Sequence, residues 1–360
     1  GGFGLVPDDL DGAIVSSHYF LYGHRPDRLD NKYLGWFVKT RAFREQVEAQ
    51  GSTNYAAIRP SDVLGYEIPL PPLAEQRRIV ARIEELAAKV DEARTLRSQM
   101  VEKRTALLRS AVSLCLTTAT SSDREVCLPE IGATTRRNVE IPAKVNDVAA
   151  SWKVPAGWLR VSVGELLLRG ALLDVKDGNH GSNHPKSSEF SDNGTPFLMA
   201  SDIANGRVHW EDAALLPVAA QSQIRIGFSR AGDVLFTHKA SIGKTALSDR
   251  PSILSPQVTY YRCDPSHISP SWLTWFLGSD LFLSQLSDIQ KQSTRDFVSI
   301  GKQYQQFLLL PPIDQQHRMA AELDALQAKV DAVKALQTET AAELDAMLPA
   351  ILDKAFKGEL

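Results

Sequence analysis

One phrase occurs twice in the amino-acid sequence. Residues 70–96 read LPPLAEQRRIVARIEELAAKVDEARTL, and residues 310–336 read LPPIDQQHRMAAELDALQAKVDAVKAL. The two copies align without a gap at an offset of 240, so that Pro71 pairs with Pro311 and Gln76 pairs with Gln316. Stacked repeats have periods of about 20 to 50 residues. The much longer period here indicates a duplicated unit of domain size.

Each copy predicts a long helix after its two prolines, because Pro-Pro favours an extended approach and ends the preceding strand. Apolar residues recur at intervals of four and three, which is typical of a coiled-coil seam. The seam positions are Ile79, Ile83, Leu86, Val90, Ala93, Leu96 and Met100, then Met319, Leu323, Leu326, Val330, Val333 and Leu336. We expect the two helices to pair antiparallel as a rod of about 60 Å. The alternative is that each helix packs on its own domain.

The duplication continues upstream of both helices with a one-residue slip. YLGWF at residues 33–37 resembles WLTWF at 272–276, and AIVSSHYFLY at 13–22 resembles SILSPQVTYY at 252–261. Residues 154–240 precede the second copy and have no counterpart before the first. We therefore expect the first globular unit to be incomplete in this sequence, with a strand over 13–22 retained. Either its front part lies outside this sequence or another chain completes it.

The predicted fold class is α+β, with globular units alternating with the two long helices. We predict a first globular unit over 1–72, a helix over 73–118, a linker over 119–153, a second globular unit over 154–312 and a second helix over 313–357. In the second unit, DVLF at 233–236 and QVTYY at 257–261 predict strands between Asp-Gly and Asn-Gly turns. A helix is predicted over 271–286, with Trp272, Trp275 and Phe276 at core spacing.

Composition gives few functional indications. The formal net charge is −3, so the whole chain is not basic enough to indicate a nucleic-acid partner by charge alone. Three cysteines without CxxC spacing, Cys115, Cys127 and Cys263, favour a reducing cytoplasm. No apolar run has the length of about 20 residues that a membrane span needs.

Taken in order, several phrases resemble the specificity subunits of type I restriction–modification systems. They are VPAGW at 154–158, DGNH at 177–180, GTPFLMASDI at 194–203, GDVLF at 232–236, SIGKTA at 241–246, the duplicated Pro-Pro helix, and AFKGEL at 355–360. The resemblance covers the whole chain. It identifies the two globular units as target-recognition domains, the first of them incomplete.

The resemblance implies that each target-recognition domain reads one half of a bipartite double-stranded DNA site. It also implies that the paired helices set the distance between the half-sites and hold two modification (methyltransferase) subunits, to which restriction/translocase subunits are added. The chain itself is expected to have no catalytic residue and no cofactor, with S-adenosylmethionine on the modification subunits. The sequence agrees, because it contains no DPPY, NPPF or Walker A motif.

Three loops of the second domain are predicted to contact DNA. Residues 154–310 contain 14 Lys or Arg and 14 Asp or Glu, so the positive charges must cluster on one face to neutralise phosphates. The first loop is rich in polar side chains that can reach base edges; a disordered polar loop is the alternative. Its predicted contacts are Lys176, Asn179, His180, Ser182, Asn183, His184 and Lys186.

The second and third loops are predicted to contact phosphates and bases through short polar runs. Lysines and backbone N–H groups of the second loop suit phosphate contact, while the Ser-Thr pair of the third could equally cap a turn. The predicted contacts are Lys239, Ser241, Lys244, Gln292, Ser293, Thr294 and Arg295.

Two other interpretations stay open at this stage. The chain could be a piece of a fused restriction–modification enzyme, or a coiled-coil adaptor that no longer binds DNA. We expect no metal site, because Pro185 and the GSN run argue against the helix that ligation by His180 and His184 would need.

Overall fold

The structure is a computed structural model. It describes residues 3–6, 10, 12–16, 19–48, 60–117, 126–130, 139, 141–180, 184–286 and 297–360. The chain forms two compact units. The first comprises Gly1–Arg104 with Val330–Leu360, and the second comprises Thr105–Lys329.

The described helices and strands are bounded as follows. The helices are α1 (Asn31–Phe37), α2 (Arg41–Glu48), α3 (Pro60–Val63), α4 (Leu73–Thr117), α5 (Asp147–Ala150), α6 (Val163–Leu168), α7 (Pro270–Leu277), α8 (Asp280–Ser284), α9 (Ile300–Tyr304), α10 (Ile313–Glu339) and α11 (Ala341–Lys357). The strands are β1 (Leu159–Ser162), β2 (Leu172–Asp177), β3 (Thr195–Leu198), β4 (Ile203–Ala204), β5 (Arg207–Val208), β6 (Ala214–Leu216), β7 (Phe228–Ser229), β8 (Val234–Thr237), β9 (Thr245–Leu247), β10 (Ser252–Leu254), β11 (Val258–Cys263) and β12 (Phe307–Leu310). No described helix is both long and apolar enough to cross a membrane.

The first unit is built on the antiparallel pairing of α4 with α10 and α11. Ile83 of α4 shares a buried apolar cluster with Leu352 of α11. Further along α4, the Arg104 guanidinium donates a hydrogen bond to Oε1 of Gln337 in α10, at 2.8 Å. Residue numbers rise along α4 while they fall along its partner, which confirms the predicted antiparallel pairing of the long helices.

The apolar seam between these helices is shorter than predicted. Val90 is buried, but Leu96 and Met100 are 55% and 44% exposed. A helix with 3.6 residues per turn rotates by about 20° per heptad relative to a 3.5-residue repeat. Arg97 thereby comes to face the partner helix and donates to a backbone carbonyl there. The prediction of a buried seam is therefore wrong for Leu96 and, on α10, for Val333 and Leu336, which are also exposed. Met100 is only partly covered, although its Sδ accepts a hydrogen bond from Gln337 of the partner helix at 3.4 Å.

The second long helix is interrupted at one residue. Helix α10 ends at Glu339 and α11 begins at Ala341. In an unbroken helix the Gln337 carbonyl would accept from the amide of Ala341. The side chains of Arg97 and Thr340 both hydrogen-bond that carbonyl. Both side chains therefore contact this carbonyl at the point where the helix is interrupted.

A buried glutamine fixes the start of each long helix in the same way. Gln76 accepts a hydrogen bond from the Asp30 amide at 2.8 Å and donates to the carbonyl of the first proline of its Pro-Pro pair, at 2.7 Å. Gln316 accepts from the Ser269 amide at 2.9 Å and donates to its own first proline at 2.8 Å. Asp30 and Ser269 are the N-cap residues of α1 and α7. The two copies therefore share one hydrogen-bond pattern, as a duplicated unit should.

The two upstream repeats differ in structure. The second copy forms β10 and β11, whose pairing strands include β2, β3 and β8. In the first copy the described residues of 13–22 form no strand, and Ile14 and Tyr19 are exposed. No described segment offers this stretch the neighbours that β10 and β11 have. The predicted strand over 13–22 is therefore wrong for the described residues.

The described residues of the second unit form an α+β domain with four small sheets. One sheet has the strand order β2-β11-β8-β9, another has the order β6-β3-β10-β7, and two-stranded sheets pair β1 with β12 and β4 with β5. The predicted strands DVLF and QVTYY lie in β8 and β11. Trp272 and Phe276 of α7 are buried in the main core, as predicted from their spacing, whereas Trp275 is half-buried and packs against that core. The helix predicted over 271–286 is two helices, since the Ser279 side chain caps α8.

Part of the predicted linker packs on the second unit. Trp152 is buried, its ring lies 6.1 Å from that of Phe276, and Val126 and Leu128 pack against the same core. Helix α5 also lies in this stretch. The domain boundaries otherwise stay predictions.

Candidate nucleic-acid interface

The sheet β2-β11-β8-β9 brings two of the predicted loops to one edge. Asp177 at the end of β2 and Phe236 near the end of β8 both pair with Thr259, at the start of β11. Both neighbours run antiparallel to β11, so β2 and β8 end on the same side of the sheet. The loops that follow Asp177 and Thr237 therefore leave at the same place. We call this the polar edge: residues 176–180, residues 237–244 and Phe297.

At the polar edge the DGNH phrase is divided between inward and outward side chains. Gly178 lies so close to the backbone at Leu254 that a Cβ atom on residue 178 would come within 1.8 Å of the Leu254 carbonyl oxygen. His180 is exposed, and its Nε2 lies 2.8 Å from Oδ2 of Asp177. Lys176, on β2, is also exposed. Lys176 and His180 are therefore both accessible to a ligand at this edge.

Asn179 lies differently from the exposed position that base contact requires. Its side chain is buried, its Nδ2 donates to the Ile226 carbonyl at 2.6 Å, and its Oδ1 accepts from the amides of Arg225 and Ile226 at 2.8 and 3.3 Å. These three hydrogen bonds satisfy the side-chain amide inside the domain. The prediction that Asn179 contacts bases is therefore corrected: its side chain binds the backbone of residues 225 and 226 inside the domain.

The rest of the first loop is only partly described. His184 is exposed, and its Nδ1 lies 2.7 Å from the Pro185 carbonyl oxygen. Lys186 is exposed, and its backbone N–H bonds Glu189 at 2.6 Å. The other two predicted contacts, Ser182 and Asn183, lie outside the described residues.

The second loop turns tightly after β8. Ala240 has a φ of 66° and Gly243 a φ of 94°. The Thr237 hydroxyl donates to the Ser241 carbonyl and accepts from the Lys244 amide, which closes the turn. The Ser241 side chain is exposed, so the turn presents it to solvent at the polar edge.

The two lysines of the second loop differ in availability. Nζ of Lys244 donates to the Ala200 carbonyl at 3.1 Å. Nζ of Lys239 lies 6.0 Å from the centre of the Phe297 ring, which is a weak cation–π distance. Lys239 therefore has the ammonium group that is easier to redirect to a phosphate.

The third loop meets the polar edge at its last residue. Lys239 and Phe297 form an isolated antiparallel bridge. The predicted contacts Gln292, Ser293, Thr294 and Arg295 lie outside the described residues, so they stay predictions. Phe297, which follows them, connects that loop to the second one.

Sequence reasoning missed one residue of this edge, His238. It is fully buried, its Nδ1 donates to the Val298 carbonyl at 2.9 Å, and its Nε2 has no partner among the described residues. Burial lowers the pKa of His238, while the bond to Val298 opposes this shift. The nearby charge of Asp177 raises the pKa of His238, whereas His180 and Lys239 lower it. No residue pattern indicated its burial, because THK follows a strand and reads as a surface turn.

The described residues offer one three-residue group with metal-ligand geometry. His209, Glu211 and Asp212 have potential ligand atoms within 4.8 Å of one another, and both carboxylate residues are exposed. The group lies in a different turn from His180 and His184. The expectation that the protein holds no metal stays a prediction.

The chain is similar to known specificity subunits. No family model matches it. It is 24% identical over 299 residues to the type I restriction enzyme EcoBI specificity subunit of Escherichia coli, an alignment that covers 81% of this chain and 58% of that protein. It is 23% identical over 350 residues to the EcoKI specificity subunit of Escherichia coli strain K12, covering 93% of this chain and 67% of that one.

Two solved structures agree with these relatives. A chain from a structure of a type I R-M system, described for its complex assembly and conformational transition, matches with a TM-score of 0.67 and 29% identity, over 99% of this chain and 78% of that chain. The HsdS subunit from Thermoanaerobacter tengcongensis matches with a TM-score of 0.54 and 27% identity, over 93% and 72%. The resemblance to type I specificity subunits is thereby confirmed. The chain spans 58% of the length of the EcoBI relative and 67% of the EcoKI one.

Proposed function

We propose that this chain is the non-catalytic DNA-recognition subunit of a type I restriction–modification complex, and that it acts in the cytoplasm on double-stranded DNA. The observation that carries the proposal is the polar edge, where the first two predicted loops meet and Phe297 connects the third. The named specificity subunits among its relatives support the same role. The second unit, which carries the polar edge, would read one half of a bipartite DNA site.

The side chains of the polar edge suggest a division of labour. Lys176, His180 and Lys239 supply positive or protonatable groups to the phosphates, which give much of the affinity of any DNA-binding protein. The loop after His180 would supply the base contacts, which give specificity. A domain with balanced overall charge can bind DNA in this way, because only the facing surface needs to be positive.

The long helices would serve as the scaffold. In the first unit, the exposed apolar residues of α4 and α10 include Leu96, Met100, Val333 and Leu336. Exposed large apolar side chains that follow a helix are suited to a partner's surface. We propose that two modification subunits bind the helices and bring S-adenosylmethionine with them, and that restriction/translocase subunits join this core.

An electrophoretic shift assay with and without the modification subunits tests the proposal. We expect sequence-specific binding by the complex, and binding that weakens steeply with salt. A complex that forms but binds no DNA would favour the adaptor interpretation. Methylation by the purified chain alone would favour the fused-enzyme interpretation. Lys239→Ala should weaken binding to all duplexes alike, whereas substitutions in the loop after His180 should change sequence preference.

A further inference from the structure

The Asn179 side chain ties a fourth segment to the polar edge. This segment, residues 221–227, precedes β7 and was not among the predicted DNA contacts. Three hydrogen bonds of 2.6 to 3.3 Å join the buried Asn179 amide to the backbone of Arg225 and Ile226. Gly227 reinforces the join, because its position for a Cβ atom lies 2.7 Å from Cα of Gly178. The segment is therefore held directly beside the DGNH phrase.

Within this segment the Arg225 side chain is directed outward. Ile224 is extended and buried in an apolar cluster with Phe197 and Ile253. Successive side chains of an extended chain point to opposite sides, which agrees with the exposure of Arg225. Among the described residues, the Arg225 guanidinium makes no hydrogen bond or ion pair. A cation left free in this way, on a segment that is hydrogen-bonded to Asn179 of the polar edge, is suited to a phosphate.

We propose that Arg225 contacts a DNA phosphate and that Asn179 is the positioning residue that holds it at the polar edge. This inference rests on the proposed DNA-recognition function and adds a residue to it. Asn179 acts through the backbone of the segment and does not itself meet the DNA. An asparagine is suited to this role because one amide offers both the donor and the acceptor that the backbone needs.

The test measures the affinity of the complex with modification subunits for two fluorescent duplexes, from 50 to 200 mM salt. One duplex carries the motif that methylome sequencing assigns to the complex, and the other has an unrelated sequence. Arg225→Ala should weaken binding to both duplexes roughly tenfold and lower the slope of log K against log salt by about 0.9. Arg225→Lys should keep the slope, since the charge remains.

Arg230→Ala is the matched control. Arg230 is also exposed, but it lies in the turn before β8, at the end of that strand opposite the polar edge. This variant should bind both duplexes like the wild type. Equal behaviour of Arg225→Ala and Arg230→Ala would overturn the inference. A wild-type complex that binds neither duplex would instead overturn the proposed function.

The role of Asn179 needs a readout that unfolding alone would not produce. Asn179→Ala, measured below its thermal transition, should lower the salt slope by the same amount as Arg225→Ala. The double variant should lose no more than either single variant, because both changes remove one phosphate contact. Additive losses, or an unchanged slope in Asn179→Ala, would show that Asn179 does not position Arg225.

Discussion

Replacing Ile83 by alanine tests whether the pairing of the long helices stabilises the first unit. Ile83 is 0% exposed and packs with Tyr33, Val80, Leu352 and Ala355. The change removes three carbon atoms, each worth about 0.8 kcal/mol when buried, or about 2.4 kcal/mol together. The cavity left behind adds to this loss, so we expect about 3 to 4 kcal/mol, within the range of about 2 to 5 kcal/mol for such substitutions.

Urea denaturation measures this loss of stability, and a separate hydrogen-exchange mass spectrometry experiment under native conditions locates it in the chain. Exchange should accelerate in peptides that cover residues 79–90 and 348–356, which face each other in the cluster. Leu96→Ala on the same helix is the control, and its exposed side chain should cost less than about 1 kcal/mol. Equal small losses for both variants, or faster exchange only outside these two peptides, would refute the helix pairing.

Three further substitutions test the second unit. Gly178→Ala would place a Cβ atom 1.8 Å from a backbone carbonyl oxygen, and thermal unfolding should show a loss of about 3 kcal/mol or more. Gly301→Ala is the control. Its Cβ atom would meet open space, so the same measurement should show a change of less than about 1 kcal/mol. Because burial lowers the pKa of His238, the unfolded state binds its proton more readily. Stability should therefore fall as pH drops below about 6.5, by at most about 1.4 kcal/mol per pH unit, and His238→Asn should remove that contribution from a pH series of unfolding curves. Arg262→Met would leave the buried carboxylate of Asp233, now 2.7 Å from the guanidinium, without its partner; we expect a loss of about 3 to 5 kcal/mol in urea denaturation, and an unchanged midpoint would contradict this.

The sequence predicted the duplicated elements well, because their signals are local. Two prolines, a glutamine four residues later and a periodic apolar stripe indicate a helix start from neighbouring residues alone. The exposure of Leu96 was not predictable in the same way. It depends on how a straight helix turns against its partner over several heptads, and the apolar spacing of a single sequence does not fix that rotation.

The candidate site shows the same limit at the level of single side chains. The pattern rightly predicted polar loops after β2 and β8, since strands and turns have their own signals. It could not separate His180, which is exposed, from Asn179, which is buried one residue earlier. That difference is set by residues 225–227, which are remote in the sequence, and it was these contacts that indicated Arg225.

Methylome sequencing of two strains, with and without the gene for this chain, tests the central claim most directly. Both strains must express the modification subunits, so that the only difference is the recognition subunit. We predict one bipartite motif that is methylated only when the chain is present. Identical methylomes in the two strains, with the chain expressed and bound to the modification subunits, would contradict DNA recognition as its function.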